Sequence, residues 1–448
     1  MKHMIARTTV LTALLVGTAL PAFAEDYVIR VWAGGTDEIS SYRHEAIAMA
    51  ADIYEREAKA LGEDVNITVE WQTATNWDEF KQSVALASEA GSAPEILVTG
   101  HEDIGAWANA GMLRPIEDYV DFDSWPLNQI YPNLYDVAVY EGRIWGIPQD
   151  AEARPFYYSR SKLAAIGYSE ADIDALPERV AAGEYTLYDV IEDAKKMIEA
   201  GVVEPGQGFL PRPTNGLDYW QFYQSFGGRM LDEDSGRMLF DTVALGKMYQ
   251  FFRDGVDAGV ISANLLGSGW ENWHPLVAGD QVGFWHGGSW QKAEWEVKWG
   301  MENFWETTQF SLIPAGDADG TPNTITHPLV YLISSNVSEE QAQLAAELIA
   351  IASEPRINSI HAVRSGKVAI GSAQADIALM QMDPWTNEVA QLLPAATSVP
   401  NDPNFGVVWD AMYRGLEAVW TGTVSVDDAV ATARSAVENA LGDGVIIR

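Results

Sequence analysis

The chain has 448 residues and no cysteine, and its 64 acidic side chains outnumber 28 basic ones to give a formal net charge of −36. This charge repels nucleic acid phosphates and anionic lipid head groups, so both are poor candidates as partners. Without cysteine the chain has neither a thiolate nucleophile nor a thiolate metal ligand.

The first 24 residues have the pattern of a signal peptide. Lys2 and Arg7 give a positive start, Thr8–Leu20 is apolar, and Ala22–Ala24 has the small-x-small pattern of a cleavage site. The apolar run is shorter than the roughly 20 residues that span a bilayer. We therefore predict cleavage after Ala24 and a periplasmic location. The rest of the chain is longer than one hydrophobic core usually serves, which favours two domains.

Strands and helices alternate at the start of the mature chain. β-rich runs predict strands at Tyr27–Ala33, Val65–Trp71 and Glu95–Thr99. Apolar side chains at helical spacing predict helices at Tyr42–Leu61 and Asp78–Ala90. This order is typical of a parallel sheet with helices on both faces, an α/β fold.

In such a sheet, ligands bind beyond the carboxyl ends of the strands. The three loops at those ends are residues 34–37, 73–77 and 100–103. Asp37 and Trp77 lie in the first two loops, so we expect both side chains to border a ligand cleft.

A second unit begins near Pro148. It includes a predicted helix at Leu187–Ala200, the segment Leu217–Gly228 and a buried strand at Val282–Trp285. The acidic run Asp232–Gly236 is interpreted as a turn, because glycine occupies a position where a calcium loop needs a ligand. Two later helices are expected to begin with capping boxes, one at Ser338 with Gln341 and one at Ser425 with Asp428.

Catalytic motifs fail at essential positions. His44-Glu45 begins a zincin motif, but Ala48 stands where the second histidine belongs. Gly366-Lys367 is similar to the end of a phosphate loop, but Val368 replaces the hydroxyl residue. No G-x-S-x-G nucleophile motif is present. We predict no catalytic residue, no cofactor and no bound metal, although the many carboxylates leave a secreted glycosidase as an alternative.

Tryptophan is unusually abundant, with 17 residues, of which seven fall between Trp270 and Trp305. Large flat side chains fill cores or form binding surfaces made of aromatic faces, and composition does not choose between the two. Trp295 and Trp299 are four residues apart, which favours a buried helical stripe for this pair.

Four segments resemble, in order, the extracellular solute-binding proteins of family 1, the sugar-binding subunits of ABC transporters. They are Pro94–Leu113, Gly146–Arg160, Gly279–Trp290 and Pro400–Trp409. Together they span almost the whole mature chain. Thr99 is a departure, because the maltose-binding member of that family has a ligand-contacting tryptophan there, so maltose itself is not implied.

The resemblance implies a periplasmic-binding-protein clamshell, in which two α/β lobes are joined by crossing hinge strands. Residues 25–148 plus about 325–370 would form the N-terminal lobe, and residues 149–324 plus about 371–448 the C-terminal lobe. The crossings would lie near residues 147–152, 323–329 and 367–373. The implied partners are a carbohydrate and the membrane permease of an ABC importer, and the chain is expected to be a monomer.

The resemblance also implies that Glu102, Asp103 and Glu152 bind sugar hydroxyls and that Trp290 and Trp409 stack on sugar rings. The chemistry suits a pyranose, since aromatic faces cover its C–H groups and carboxylates accept from its hydroxyls in charge-assisted bonds. Asp150 is expected to join them as a further acceptor from hydroxyls, and Trp220 or Tyr219 as a side wall of the site.

Two other readings of the same residues stay open. A polyamine or another small polar solute could bind a site of this fold through cation–π contacts and carboxylates. A secreted enzyme acting on glycosides would use the carboxylates as acid and base. Several aromatic platforms favour a di- or oligosaccharide over a single ring.

Overall fold

A computed structural model describes residues 25–35, 42–74, 76–232 and 234–448. The predicted signal peptide and Asp37 lie outside these ranges. Among the residues that are described, no helix combines the length and the apolar character that crossing a membrane requires.

The strands are β1 (Glu25–Ala33), β2 (Val65–Thr73), β3 (Ile96–Gly100), β4 (Leu113–Arg114), β5 (Val139–Tyr140), β6 (Arg143–Ile144), β7 (Gly146–Pro148), β8 (Phe156–Ser159), β9 (Phe209–Leu210), β10 (Met238–Phe240), β11 (Phe284–His286), β12 (Thr308–Ser311), β13 (Thr324–Thr326), β14 (Leu329–Ser334), β15 (Ala396–Ser398) and β16 (Val445–Ile447). The helices are α1 (Glu45–Leu61), α2 (Trp77–Glu89), α3 (Asp103–Asn109), α4 (Pro132–Asp136), α5 (Arg160–Ala165), α6 (Glu170–Asp174), α7 (Leu176–Ala181), α8 (Leu187–Glu199), α9 (Asp218–Ser225), α10 (Thr242–Asp257), α11 (Trp270–Ala278), α12 (Gln291–Lys298), α13 (Phe304–Thr307), α14 (Glu339–Ala352), α15 (Pro355–Ser365), α16 (Ala378–Met382), α17 (Pro384–Ala390), α18 (Phe405–Trp420) and α19 (Val426–Leu441).

The first lobe is built on a sheet with strand order β2-β1-β3-β14-β4, and β7 also pairs with β14. β1 runs parallel to β2 and β3, as the alternating pattern predicts. β14 runs antiparallel to β3, because the chain re-enters this sheet from the other lobe. All five residues of β3 are buried. Gly62 ends α1 with φ 89°, a conformation that favours glycine.

The second lobe is built on a sheet with strand order β12-β8-β11-β9 and an aromatic core. Tyr157 of β8 stacks on Trp285 of β11 with ring centroids 5.6 Å apart and meets Trp295 edge-on at 5.4 Å. Trp285 and Trp295 are almost fully buried, whereas Trp299 is only partly buried. Most of the tryptophan surplus in this region therefore serves packing.

The chain passes between the two sheets at three places. Residues 149–155 join β7 to β8, and β13 lies between β12 of one sheet and β14 of the other. Val368 then pairs with Ala151 in an isolated antiparallel bridge. The fold is thus two α/β lobes joined by crossing segments, as the resemblance implies, while the exact lobe boundaries stay a prediction.

The two predicted capping boxes, at the starts of α14 and α19, differ in detail. At Ser338 the capping box is complete, since the hydroxyl accepts from Gln341 N–H and the Gln341 side chain accepts from Ser338 N–H. At Ser425 the hydroxyl accepts from Asp428 N–H but donates to the Asp428 carboxylate. The predicted cap is therefore confirmed there, and the reciprocal bond runs between side chains.

Candidate functional site

A cleft of about 540 Å³ lies between the lobes, within the range of small-molecule sites, which is roughly 300–1,000 Å³. The loop after β3, helix α2 and the crossing segments supply one wall and the floor. The loop after β9, Trp290 and the start of α18 supply the other wall. Its charged and aromatic lining residues are Arg43, Trp77, Asp78, Lys81, Glu102, Asp103, Glu152, Arg154, Arg212, Trp290, His327, Lys367, Asp402, Phe405, Trp409 and Asp410.

The N-terminal wall carries a carboxylate pair at the carboxyl end of β3. Lys81 Nζ lies 2.6 Å from Asp103 Oδ1 and 3.4 Å from Glu102 Oε1. His327 Nε2 lies 2.5 Å from Glu102 Oε2. Gly100 leaves room for the contact between Glu102 and His327, because a Cβ at position 100 would fall 2.1 Å from Glu102 and 2.6 Å from His327.

The two carboxyl groups differ in protonation behaviour. Burial alone would raise the pKa of Glu102, but His327 and Lys81 hold it well below its usual range. Burial and the neighbouring Glu102 charge raise the pKa of Asp103. Thr99, the departure noted above, donates to Asp103 Oδ2 at 2.6 Å and so orients this carboxyl group. Glu102 is therefore held in its charged form on this wall.

The C-terminal wall and the floor carry a chain of ion pairs that we call the basic network: Lys367, Glu152, Arg154, Asp218 and Arg212. Arg154 Nη2 lies 2.9 Å from Glu152 and Nη1 lies 2.8 Å from Asp218. Lys367 pairs with Glu152 at one end, and Arg212 pairs with Asp218 at the other. Burial would raise the pKa of Asp218, but the two arginines lower it well below its usual range.

Two tryptophans face the cleft from the C-terminal wall. Trp409 is held from behind by Trp220, with nearly parallel rings 5.7 Å apart, and its Nε1 donates to Asn215 Oδ1 at 2.8 Å. Trp290 is contacted by Lys367 and Arg154, whose charged groups lie 4.2 and 5.1 Å from its ring centroid. Both rings are thus fixed by their neighbours, as a preorganised aromatic platform requires.

Six predicted site residues line the cleft: Trp77, Glu102, Asp103, Glu152, Trp290 and Trp409. Their role in binding a ligand stays a prediction. Glu152 has both oxygens engaged by Arg154 and Lys367 and is 1% exposed, so its carboxylate organises the floor.

Three other predicted residues do not line the cleft. Asp150 is fully buried in the hinge, where it accepts from Leu329 N–H and lies 3.2 Å from His361 Nε2. Tyr219 and Trp220 lie on α9, which is buried on nearly all its faces. The Tyr219 hydroxyl donates to the Arg212 backbone, and Trp220 packs behind Trp409. All three support lining residues from one layer further back.

The sequence reasoning missed the basic residues of the cleft: Arg43, Lys81, Arg154, Arg212 and Lys367. For one of them, Arg212, the sequence contains a signal that could have predicted its place in the cleft. Arg212 follows β9, whose two residues are buried, so the rule about carboxyl ends of strands applies to this loop as well. Lys367 pairs with Glu152, which is 215 residues away in the chain, and no local sequence pattern predicts such a contact.

His101, Glu102 and His327 place three ligand-type atoms within 4.8 Å of one another. Such a group could hold a cation if its nitrogens were available. Both ring nitrogens of His101 instead face backbone carbonyls, that of Val399 at 2.8 Å and that of Pro328 at 3.2 Å. The cluster is therefore explained by hydrogen bonding around the hinge.

His286, beside the basic network, predicts a pH dependence of stability. Burial and the charges of Arg212 and Arg154 lower its pKa to about 4, with Asp218 opposing them. The unfolded chain protonates this group near the ordinary value of about 6.5. Stability is therefore lost as the pH falls from that value toward 4. We expect this group to remove about 2 kcal/mol from the free energy of unfolding between pH 7 and pH 5.

The variant His286→Gln tests this, because a glutamine can still accept from Arg212 N–H but does not titrate. Urea unfolding at both pH values should show that the unmodified protein loses about 2 kcal/mol more than the variant. Equal losses would assign the acid sensitivity to other groups.

Comparisons with known proteins agree with this architecture. The chain matches the family model described as bacterial extracellular solute-binding protein over residues 50–355. A maltotriose-binding protein of Pyrococcus abyssi is 28% identical over 104 residues, which is 23% of this chain and 21% of that relative. The chain is thus aligned with about a fifth of that relative's length.

Solved structures of similar fold cover nearly the whole chain. The maltose-bound MalE3 of T. maritima has a TM-score of 0.75 at 19% identity, over 93% of this chain and all of that one. The GacH receptor of Streptomyces glaucescens, solved unliganded and with acarbose, has a TM-score of 0.75 at 16% identity, over 93% and 99% of the chains. MalE of Bdellovibrio bacteriovorus bound to maltotriose has a TM-score of 0.73 at 18% identity, over 92% and 99%. With two α/β lobes around an inter-lobe cleft and a family match over more than half its length, this chain belongs to the bacterial extracellular solute-binding protein family.

Proposed function

We propose that the protein is the periplasmic receptor of an ABC importer, which binds a di- or oligosaccharide between its lobes and delivers it to the membrane permease. The observation that carries the proposal is the inter-lobe cleft, where Trp409 and Trp290 lie opposite the charged pair at Glu102 and Asp103. Neighbours of the same fold that hold maltose or maltotriose in their solved structures support the ligand class.

The two walls offer complementary chemistry to a sugar ring. Trp409 presents an aromatic face on which C–H groups can pack while water is excluded. Glu102, whose side chain is 14% exposed, can accept from ring hydroxyls in charge-assisted bonds. A ligand that touches both walls would stabilise a closed arrangement of the lobes, and the closed form would be the one that the permease recognises.

The same proposal includes cleavage after Ala24, action as a monomer and release of the ligand unchanged. It also includes the lobe boundaries given above, with residues 25–148 and about 325–370 in one lobe. The cleft is lined by five basic and six acidic side chains, so its charge alone does not favour a polycation such as a polyamine.

A thermal-shift screen of the mature protein tests the proposal. The panel contains mono- and oligosaccharides, polyols, polyamines and amino acids. A ligand at 100 times its dissociation constant should stabilise the protein by about 2.7 kcal/mol, which raises the melting temperature measurably. A response to saccharides, with the sugar recovered intact by chromatography, is the expected result. A response only to amines, or consumption of the sugar, would contradict the proposed function.

A further inference from the structure

We infer that the saccharide bound in this cleft carries an acidic group, such as the carboxylate of a uronic acid, and that the basic network holds this group. The inference rests on the proposed function and narrows its ligand class. It starts from the basic network of the C-terminal wall and the floor, in which the cations outnumber the carboxylates.

Basic side chains are concentrated at the cleft. Five of the 28 lysines and arginines lie among its 23 lining residues beside six of the 64 acidic residues, so the basic share is higher there than in the chain as a whole. Three of the five are buried, since Arg43 is 6%, Arg154 is 5% and Lys367 is 3% exposed, and the last two belong to the floor. Buried lysine and arginine are rare and need compensation by negative charge.

Compensation within the basic network is incomplete. Its charges alternate along the chain of ion pairs, and a cation stands at each end: Lys367 at one and Arg212 at the other. Three cations therefore share two carboxylates, which leaves one positive charge over. Asp150, which lies nearby in the hinge, contacts Arg43 and His361, and the Lys367 charge also lowers its pKa. If Asp150 and Arg43 are counted with the network, four cations face three carboxylates and the excess is still one positive charge.

The network offers hydrogen-bond donors to a ligand. Both oxygens of Glu152 are engaged, as described above, so this carboxylate has no oxygen without a partner. Arg212 Nε is buried and has no hydrogen-bond partner among the described residues. Lys367 has three N–H groups and donates one of them to Glu152. A ligand group that accepts several hydrogen bonds and carries a negative charge would satisfy these donors and balance the network.

The opposite wall explains why the ligand would still be a sugar. There Glu102 and Asp103 lie side by side at the cleft, and Lys81 contacts both of them while His327 contacts Glu102. Carboxylates on that side repel an acid but accept from hydroxyls. An acidic saccharide fits both walls when its carboxylate points to the basic network and its hydroxyl edge points to Glu102.

Isothermal titration calorimetry on the mature chain tests the inference with matched pairs. Each pair consists of a neutral mono- or disaccharide and the corresponding uronate, in the glucose and galactose series. We expect at least one uronate to bind about 10- to 100-fold more tightly than its neutral partner, because hydrogen bonds between charged groups are stronger. Added salt should weaken the uronate more than the neutral sugar.

Arg212→Gln and Arg434→Gln are the matched variants, each with one positive charge removed. In Arg212→Gln, Asp218 keeps Arg154 as a partner, and the uronate-to-neutral affinity ratio should fall about tenfold. Arg212→Lys should restore part of it. Arg434 is exposed on α19 and pairs only with Glu438 among the described residues, so its replacement should leave the ratio unchanged.

Three outcomes would overturn the inference, and they separate it from the proposed function. Neutral sugars that bind as tightly as their uronates overturn the acidic class and keep the carbohydrate receptor. A uronate preference that is insensitive to Arg212→Gln overturns the assignment to the basic network. Failure to bind any saccharide overturns both the inference and the proposed function.

Discussion

Replacing Glu152 with glutamine is expected to lower the free energy of unfolding by about 3–5 kcal/mol, the usual cost of removing one partner from a buried ion pair. Glu152 is 1% exposed and lies between Arg154 and Lys367, both of which are buried. The substitution keeps the shape of the side chain and removes its charge. Lys367 would then be a buried ammonium without its carboxylate, and the floor of the cleft would carry a second excess positive charge.

Urea unfolding of the mature protein at pH 7 measures this effect, and Glu170→Gln is the matched control. Glu170 also pairs with an arginine, Arg160, but its side chain is 74% exposed. Exposed pairs contribute about 0–1 kcal/mol, so the control should unfold almost like the unmodified protein. If the two variants were equally stable, the burial of the basic network would have no energetic consequence, and the argument from its charge would fail.

Replacing Trp409 with alanine is expected to weaken saccharide binding by about 30-fold or more, the effect of a central aromatic side chain worth about 2 kcal/mol. Trp409 lines the cleft, and its orientation is fixed by Trp220 behind it and by the bond to Asn215. The alanine variant loses the apolar face on which a sugar ring would pack. Calorimetry with the ligand found in the thermal-shift screen measures the change.

Two further variants separate loss of the aromatic face from loss of stability. Trp409→Phe keeps an aromatic ring and should retain most of the affinity. Trp305→Ala removes a tryptophan that is 40% exposed and does not line the cleft, and it should leave the affinity unchanged. Unaltered binding by Trp409→Ala would contradict the role of Trp409 as a platform.

Much of the first lobe could be predicted because its signals are local. Buried strands and amphipathic helices alternate in the sequence, and β1, β2 and β3 form the expected parallel arrangement. The rule that ligands lie beyond the carboxyl ends of strands led to Glu102 and Asp103, which do line the cleft. Applied to β9, the same rule would also have found Arg212.

In the second lobe, local sequence patterns do not predict which aromatic residues line the cleft. Tyr219, Trp220 and Trp409 are all large aromatic residues near candidate site segments, and composition does not rank them. α9 is buried on nearly all its faces, so periodicity does not tell which face lies behind another element and which meets solvent. Only the packing of α18 against α9 places Trp409 at the cleft and Trp220 one layer behind it.

The sequence alone therefore determined the α/β class through its short-range patterns, and its resemblance to a family implied the two lobes and the cleft residues Glu152, Trp290 and Trp409. The tertiary structure decided which carboxylates remain available to a ligand. Glu152 meets Lys367 across 215 residues and Arg154 meets Asp218 across 64. Such ion pairs depend on where distant segments come together in space, so they turn a predicted hydroxyl acceptor into part of a donor-rich, positively charged floor.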